Sequence, residues 1–135
     1  MIYYRSGYKY QLYADYQTPL VYVKTDYNIH TDFIVFNKPN MLTVRKGYAW
    51  DGASGPAIDT GTILRGALIH DACYQLLRES HLPKGQREMA DKELRRICLE
   101  DGMWRIRAWW VYHAVRLGAG PHASPYNDRE IFTAP

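Results

Sequence analysis

An α+β fold, with antiparallel strands first and helices after, follows from three features of the sequence. Short runs of apolar residues separated by turn residues occupy positions 8–44, a glycine-rich stretch covers 48–60, and from 61 onward apolar residues recur at helical spacing. We therefore expect three to five short antiparallel strands, a glycine-rich loop, and three α-helices of which the first two run antiparallel. The 135 residues read as one domain: a β-rich part over 1–47, the loop over 48–60, a helical part over 61–117 and an extended tail over 118–135.

The strands are read from local pattern. Tyr8, Tyr10 and Leu12 alternate with Lys9 and Gln11, Leu20 to Val23 is a short apolar run, Phe33 to Phe36 is continuous and apolar, and Met41 to Arg45 follows. Asn37-Lys38-Pro39-Asn40 between the last two predicts a hairpin. In Tyr48 to Thr60, YAWDGASGPAIDT, the small residues Gly52, Ala53 and Gly55 let the backbone turn tightly and bring amides or carbonyls towards a ligand. The alternative is a plain connection between sheet and helix.

The first helix is expected over about Gly61 to Arg78, capped by Asp59 or Thr60, and ended by the linker with Pro83 and Gly85. A second runs from about Gln86 to Asp101 with Ala90, Leu94, Ile97 and Cys98 as its apolar stripe, and Gly102 ends it. The third, about Met103 to Leu117, is expected to bury Ile106, Trp109, Trp110, His113 and Leu117, with Arg105, Arg107 and Arg116 on other faces. His113 then reads as a packed core histidine.

Composition narrows the function classes. With 47% hydrophobic and 23% charged residues the chain is globular, and its apolar runs are far shorter than a membrane span. MIYYRSGYKY has no signal-peptide core, so we expect a product made in a cytoplasm. Cys73 and Cys98 make neither a disulfide scaffold nor a zinc motif. Antiparallel helices carry the two in opposite directions, so both should be free thiols. The net charge of +3 is too small to specify nucleic acid.

The chemistry concentrates at His70 and Asp71. His70 shares a stripe with Ile63, Ala67, Tyr74 and Leu77, so it points where the helix packs, and a buried imidazole needs a partner. With the first two helices antiparallel, Asp91 comes to within ~4–5 Å of its height. Its carboxylate would accept from one ring nitrogen, fix the tautomer and leave the other nitrogen as a base. Asp71 would face the glycine-rich loop instead, and a carboxylate near backbone carbonyls suits a hard cation such as calcium. Asp51 and Ser54 are further candidates in the loop, although Ser54 lacks a G-x-S-x-G turn.

His70-Asp71-x-x-Tyr74 followed by Asp91 resembles the active-site helix pair of secreted and parvoviral phospholipase A2 enzymes. The resemblance covers Tyr48 to Cys98 and implies that His70 is the general base, that Asp71 binds calcium, that Asp91 orients His70 and that Tyr74 supports Asp91. It also implies carbonyl ligands to calcium from Tyr48, Trp50 and Gly52. The loop departs from the viral pattern YxGxG, and Ala90 stands where the secreted enzymes have a cysteine. A second resemblance spans nearly the whole chain. Gly47-Tyr48-x-x-Asp51-Gly52-Ala53-Ser54-x-Pro56, Ala67-Leu68-x-His70-Asp71-x-x-Tyr74, Ala90-Asp91 and Arg105-x-Arg107-Ala108-Trp109 with Tyr112-x-Ala114-Val115-Arg116-Leu117-Gly118 are similar to a family of unknown function encoded by phages and prophages.

Three functions are compatible with these residues. One is a calcium-dependent lipid hydrolase acting at a membrane during infection, with phospholipid as substrate. Another is a hydrolase of cell-wall peptide or sugar, in which His70, Asp71 and Asp91 serve as acid and base or hold another divalent metal. The third is a virion or tail component, partnered by other phage proteins, in which the His/Asp pair is a buried structural network.

Overall fold

The structure is a computed structural model and describes residues 2, 4–5, 10–50 and 61–118. The α+β order is as the sequence predicts, strands before helices. Two compact units divide the chain, the first holding the described residues up to 50 and the second those from 61 to 118.

In the first unit all described strand pairings are antiparallel. One sheet has three strands in the order β1 (Tyr4–Arg5), β2 (Tyr10–Leu12) and β7 (Ala49–Trp50). The other has four, in the order β3 (Tyr16–Pro19), β6 (Met41–Val44), β5 (Ile34–Asn37) and β4 (Ile29–His30). Among the described residues there are seven strands where three to five are expected, because two-residue strands such as β4 and β7 are too short to show a period of two. The β5–β6 hairpin is present; Ile34 faces Val44 and Phe36 faces Leu42, and all four side chains are buried. Asn37 pairs with Met41, so three residues close the turn instead of four. Leu20 to Val23 is not a strand. Leu20 and Val23 are buried all the same, and the backbone of Leu20 is held by Asn40, whose carbonyl accepts its N–H at 2.8 Å and whose side-chain amide donates to its carbonyl at 2.7 Å.

The second unit consists of α1 (Leu64–Arg78), α2 (Gln86–Glu100) and α3 (Arg105–Gly118). α1 starts later than predicted. Gly61 and Thr62 are poor helix formers, and the ladder opens with the Ala67 N–H donating to Ile63 O at 2.8 Å. Ile63 occupies the cap position without a side-chain bond; Asp59 and Thr60 lie outside the described residues. α1 is buried on nearly every side, and the predicted stripe of α2, Ala90, Leu94, Ile97 and Cys98, is buried as well.

α1 and α2 are antiparallel. Arg65 near the start of α1 binds Asp101 and Glu100 beyond and at the end of α2, with its Nη2 2.9 Å from an oxygen of each. Gly66 lets the two backbones approach, since a Cβ there would stand 3.0 Å from Cys98 Sγ and 3.3 Å from Leu94 O. Both cysteines are free and buried, as the antiparallel register requires. Burial pushes the Cys98 thiol up to about 12 and raises Cys73 further.

α3 overturns its expected face. It packs through Ala108, Val111 and Tyr112, with Val115 partly buried against Leu94, Cys98 and Met103. Ile106, Trp109, Trp110, His113 and Leu117 are exposed, so His113 is not a core histidine. Two apolar stripes share this helix, and the one through Ala108, Val111, Tyr112 and Val115 forms the seam.

Helices α1 and α2 end alike. After α2 the Met103 N–H donates to Cys98 O and the Gly102 N–H to Leu99 O, with Gly102 at φ +98. After α1 the His81 N–H donates to Leu76 O and the Ser80 N–H to Leu77 O, but here a serine holds the left-handed position at φ 61. Relieving its Cβ from that conformation outweighs the entropy lost by glycine on folding. Ser80→Gly is therefore expected to raise the stability measured by urea unfolding by roughly 0.5–1 kcal/mol; an unchanged or lower midpoint would contradict this.

Candidate functional site

His70 and Asp91 meet as predicted. His70 Nε2 lies 2.6 Å from Asp91 Oδ1, and both side chains are buried, Asp91 completely. Tyr74, one turn on from His70, donates its hydroxyl to the same oxygen at 2.6 Å. The His70 and Tyr74 rings stand 4.1 Å apart between centroids at 38°, so each limits the rotation of the other. Helical spacing on α1 thus delivers two donors to one carboxylate on α2.

The second carboxylate oxygen takes a donor that the sequence reading placed on an outer face. Arg116 of α3 donates from Nη1 to Asp91 Oδ2 at 2.9 Å. Arg87 of α2 braces this arrangement from the side. Its Nε donates to Tyr74 Oη at 3.2 Å, and its Nη2 donates to the carbonyls of Val115 and Arg116 at 3.2 and 2.8 Å. A cation at those carbonyls also suits the negative end of the α3 dipole. Neither arginine was legible as a site residue, because the contact requires α3 to turn its Ala108 and Val111 side towards α2.

The electrostatics follow from this geometry. Burial works to raise the Asp91 pKa, but the hydrogen bond and charge of His70, with the donors Tyr74 and Arg116, outweigh it and hold the carboxyl below its usual range. Burial, together with the hydrogen bond to Asp91, raises Tyr74, while Arg87 acts in the opposite direction. Asp91 is therefore ionised and Tyr74 neutral at pH 7. An ionised Asp91 can only accept, so the proton in the His70 bond resides on Nε2. Among the described residues, Nδ1 of His70 has no hydrogen-bond partner.

The remaining candidates are distributed as follows. Asp71 is half-buried on α1, next to His70. Tyr48 and Trp50 belong to the first unit and flank or form β7, where the Tyr48 carbonyl accepts the Leu12 N–H at 2.8 Å and Trp50 pairs with Tyr10. The segment expected to be loop from Tyr48 onward therefore begins with sheet pairing. Asp51, Gly52 and Ser54 lie outside the described residues. Among the described residues no three His, Cys, Asp or Glu side chains group to hold a metal ion, and Asp91 is already committed to its three donors.

Asp91 has a lowered folded pKa, so its contribution to stability is fully present above its unfolded value near ~3.9 and is lost as pH falls through the folded value. Urea midpoints of the parent should fall as pH is lowered from about 5 to about 2, and Asp91→Asn should flatten that slope. At pH 7, Arg116→Met should lower stability by about 1–3 kcal/mol, since it leaves one oxygen of a buried carboxylate unpaired. Equal acid slopes for parent and Asp91→Asn would contradict the assignment.

Residues 27–115 match a family described as proteins of unknown function, DUF1353. No curated protein and no solved structure gives a significant match. The matched span takes in His70, Tyr74, Arg87 and Asp91 and stops one residue before Arg116. It covers well over half of the sequence, and the chain belongs to the DUF1353 family.

Proposed function

We propose that this chain is a hydrolase of the phospholipase A2 kind, with His70 as general base, acting on ester bonds of membrane lipid. The observation that carries the reading is the buried His70–Asp91 bond of 2.6 Å, made through Nε2 and leaving Nδ1 as the basic nitrogen. Hydrolysis then needs few steps. Nδ1 takes a proton from water as the water oxygen adds to the ester carbonyl carbon; when the ester C–O bond breaks, His70 returns that proton to the departing alkoxide. The products are a carboxylic acid and an alcohol.

Asp91 remains ionised throughout, which keeps the imidazole in one tautomer and stabilises the imidazolium. Tyr74 and Arg116 hold the carboxylate in place. Arg116 also balances part of its charge, which moderates the support Asp91 gives to a protonated His70. Calcium belongs to the proposal through Asp71; bound there it would supply a Lewis acid for the ester oxygen. A phage or prophage setting, with action at the host envelope, is part of the same reading.

A second reading has its own support. The ion pair of Arg116 with Asp91 and the bracing by Arg87 bond the carboxylate on both oxygens, as a network that only joins three helices would do. In that case the protein is a structural component, for instance of a virion or tail.

The two separate in one assay, hydrolysis of mixed phosphatidylcholine and phosphatidylglycerol vesicles with calcium or with EGTA. The hydrolase reading expects calcium-dependent fatty-acid release that His70→Ala lowers by roughly 10²–10⁴-fold and that Asp91→Asn also lowers. No release by the parent, with a reduced melting temperature for His70→Ala, supports the structural reading.

A further inference from the structure

α3 presents an apolar stripe outward. At 3.6 residues per turn, Ile106, Trp109, Trp110, His113 and Leu117 share an arc of about 100°, opposite the arc of Ala108, Val111, Tyr112 and Val115 that packs against the rest of the unit. The exposure is large: 84% for Ile106, 89% for Leu117, 56% for Trp109, and 84% for Trp104 just before the helix. The Trp109 and His113 rings lie 4.4 Å apart between centroids, tilted by 53°, so the middle of the stripe is aromatic. An exposed patch of this kind marks a contact surface.

Charge identifies what it contacts. No Asp or Glu occurs from Met103 to Gly118, whereas Arg105 and Arg107 stand on opposite borders of the stripe. Both sit in the first turn, at the positive end of the helix dipole, where cations oppose folding and an anion offsets them. Arg116 is directed to Asp91 and contributes little to this border. A second copy of the chain fits poorly, since a two-fold pairing of this face brings arginines together with no carboxylate on α3 to meet them. Single-stranded nucleic acid would stack on the tryptophans, but Ile106 and Leu117 have no ring to offer. A convex helix with Trp, Ile and Leu on one face, and arginine beside it, matches the interface of an anionic bilayer.

We infer that α3 lies in the headgroup region of anionic phospholipid membranes, with Ile106, Trp109, Trp110 and Leu117 inserted and Arg105 at the phosphates. The inference stands on α3 alone and does not need His70 to be catalytic. Its test is co-sedimentation of the full chain with vesicles of phosphatidylcholine containing phosphatidylglycerol, or of phosphatidylcholine only, without calcium. The parent and His70→Ala should bind the anionic vesicles and show a blue shift of tryptophan emission. Ile106→Ser with Leu117→Ser should weaken partitioning by about tenfold or more with an unchanged melting temperature; Arg105→Glu should weaken it for anionic vesicles selectively.

Four results overturn the inference. The parent fails to bind; the double variant binds like the parent; the double variant melts several degrees lower, which means that the chain itself covers the stripe; or the parent self-associates or binds an oligonucleotide in place of vesicles. Vesicle binding that survives in His70→Ala without lipid turnover by the parent leaves this inference standing and removes the hydrolase reading.

Discussion

The helical unit depends on one buried carboxylate. An ionised Asp91 with no exposed surface is tolerated only if its oxygens are bonded, because removing such a group from water costs several kcal/mol. Three donors from two helices answer that need: His70 and Tyr74 from α1, and Arg116 from α3. α2 itself supplies Arg87, which joins Tyr74 to the last carbonyls of α3. The relative position of all three helices is therefore written into the bonds of a single side chain, and the close approach at Gly66 allows α1 and α2 to reach that distance.

The same bonds give His70 its chemical character. A histidine in an apolar helix would ordinarily be free to choose between two tautomers. Here an acceptor for the Nε2 proton, the Tyr74 ring packed against the imidazole, and a carboxylate held ionised by its neighbours remove that choice. The arrangement is what a general base requires, and it is also what a structural network produces, because both are satisfied by the same geometry. The distinction lies at Nδ1, in whether water and an ester reach it. If they do, the outward stripe of α3 gives the protein a means of meeting lipid that is separate from the buried pair.

Much of this was legible in the sequence, for identifiable reasons. The stripe Ile63, Ala67, His70, Tyr74, Leu77 placed the histidine inside, and the short linker between helices set Asp91 at its height; helical rise is regular enough for such arithmetic to hold. The hairpin at Lys38 to Asn40 followed from its turn residues. Arg116 was missed because its role depends on which side of α3 is packed. Periodicity locates a stripe and is silent about which of two apolar stripes meets the neighbour; the tryptophans were read as core when Ala108 and Val111 form the seam. β3 was missed because Tyr16-Gln17-Thr18-Pro19 has no apolar alternation, and Leu20 to Val23 was misread because burial there comes without pairing.

The central claim is that Asp91 fixes His70 with its proton on Nε2 and a lone pair on Nδ1. The most direct test is the ¹⁵N NMR spectrum of the His70 imidazole in the parent and in Asp91→Asn, at a pH where the ring is neutral. The account predicts, for the parent, one protonated nitrogen, Nε2, with its proton protected from exchange with water, and an unprotonated Nδ1. Proton occupancy on Nδ1, or a ring that averages between tautomers in the parent as it does in Asp91→Asn, would contradict it.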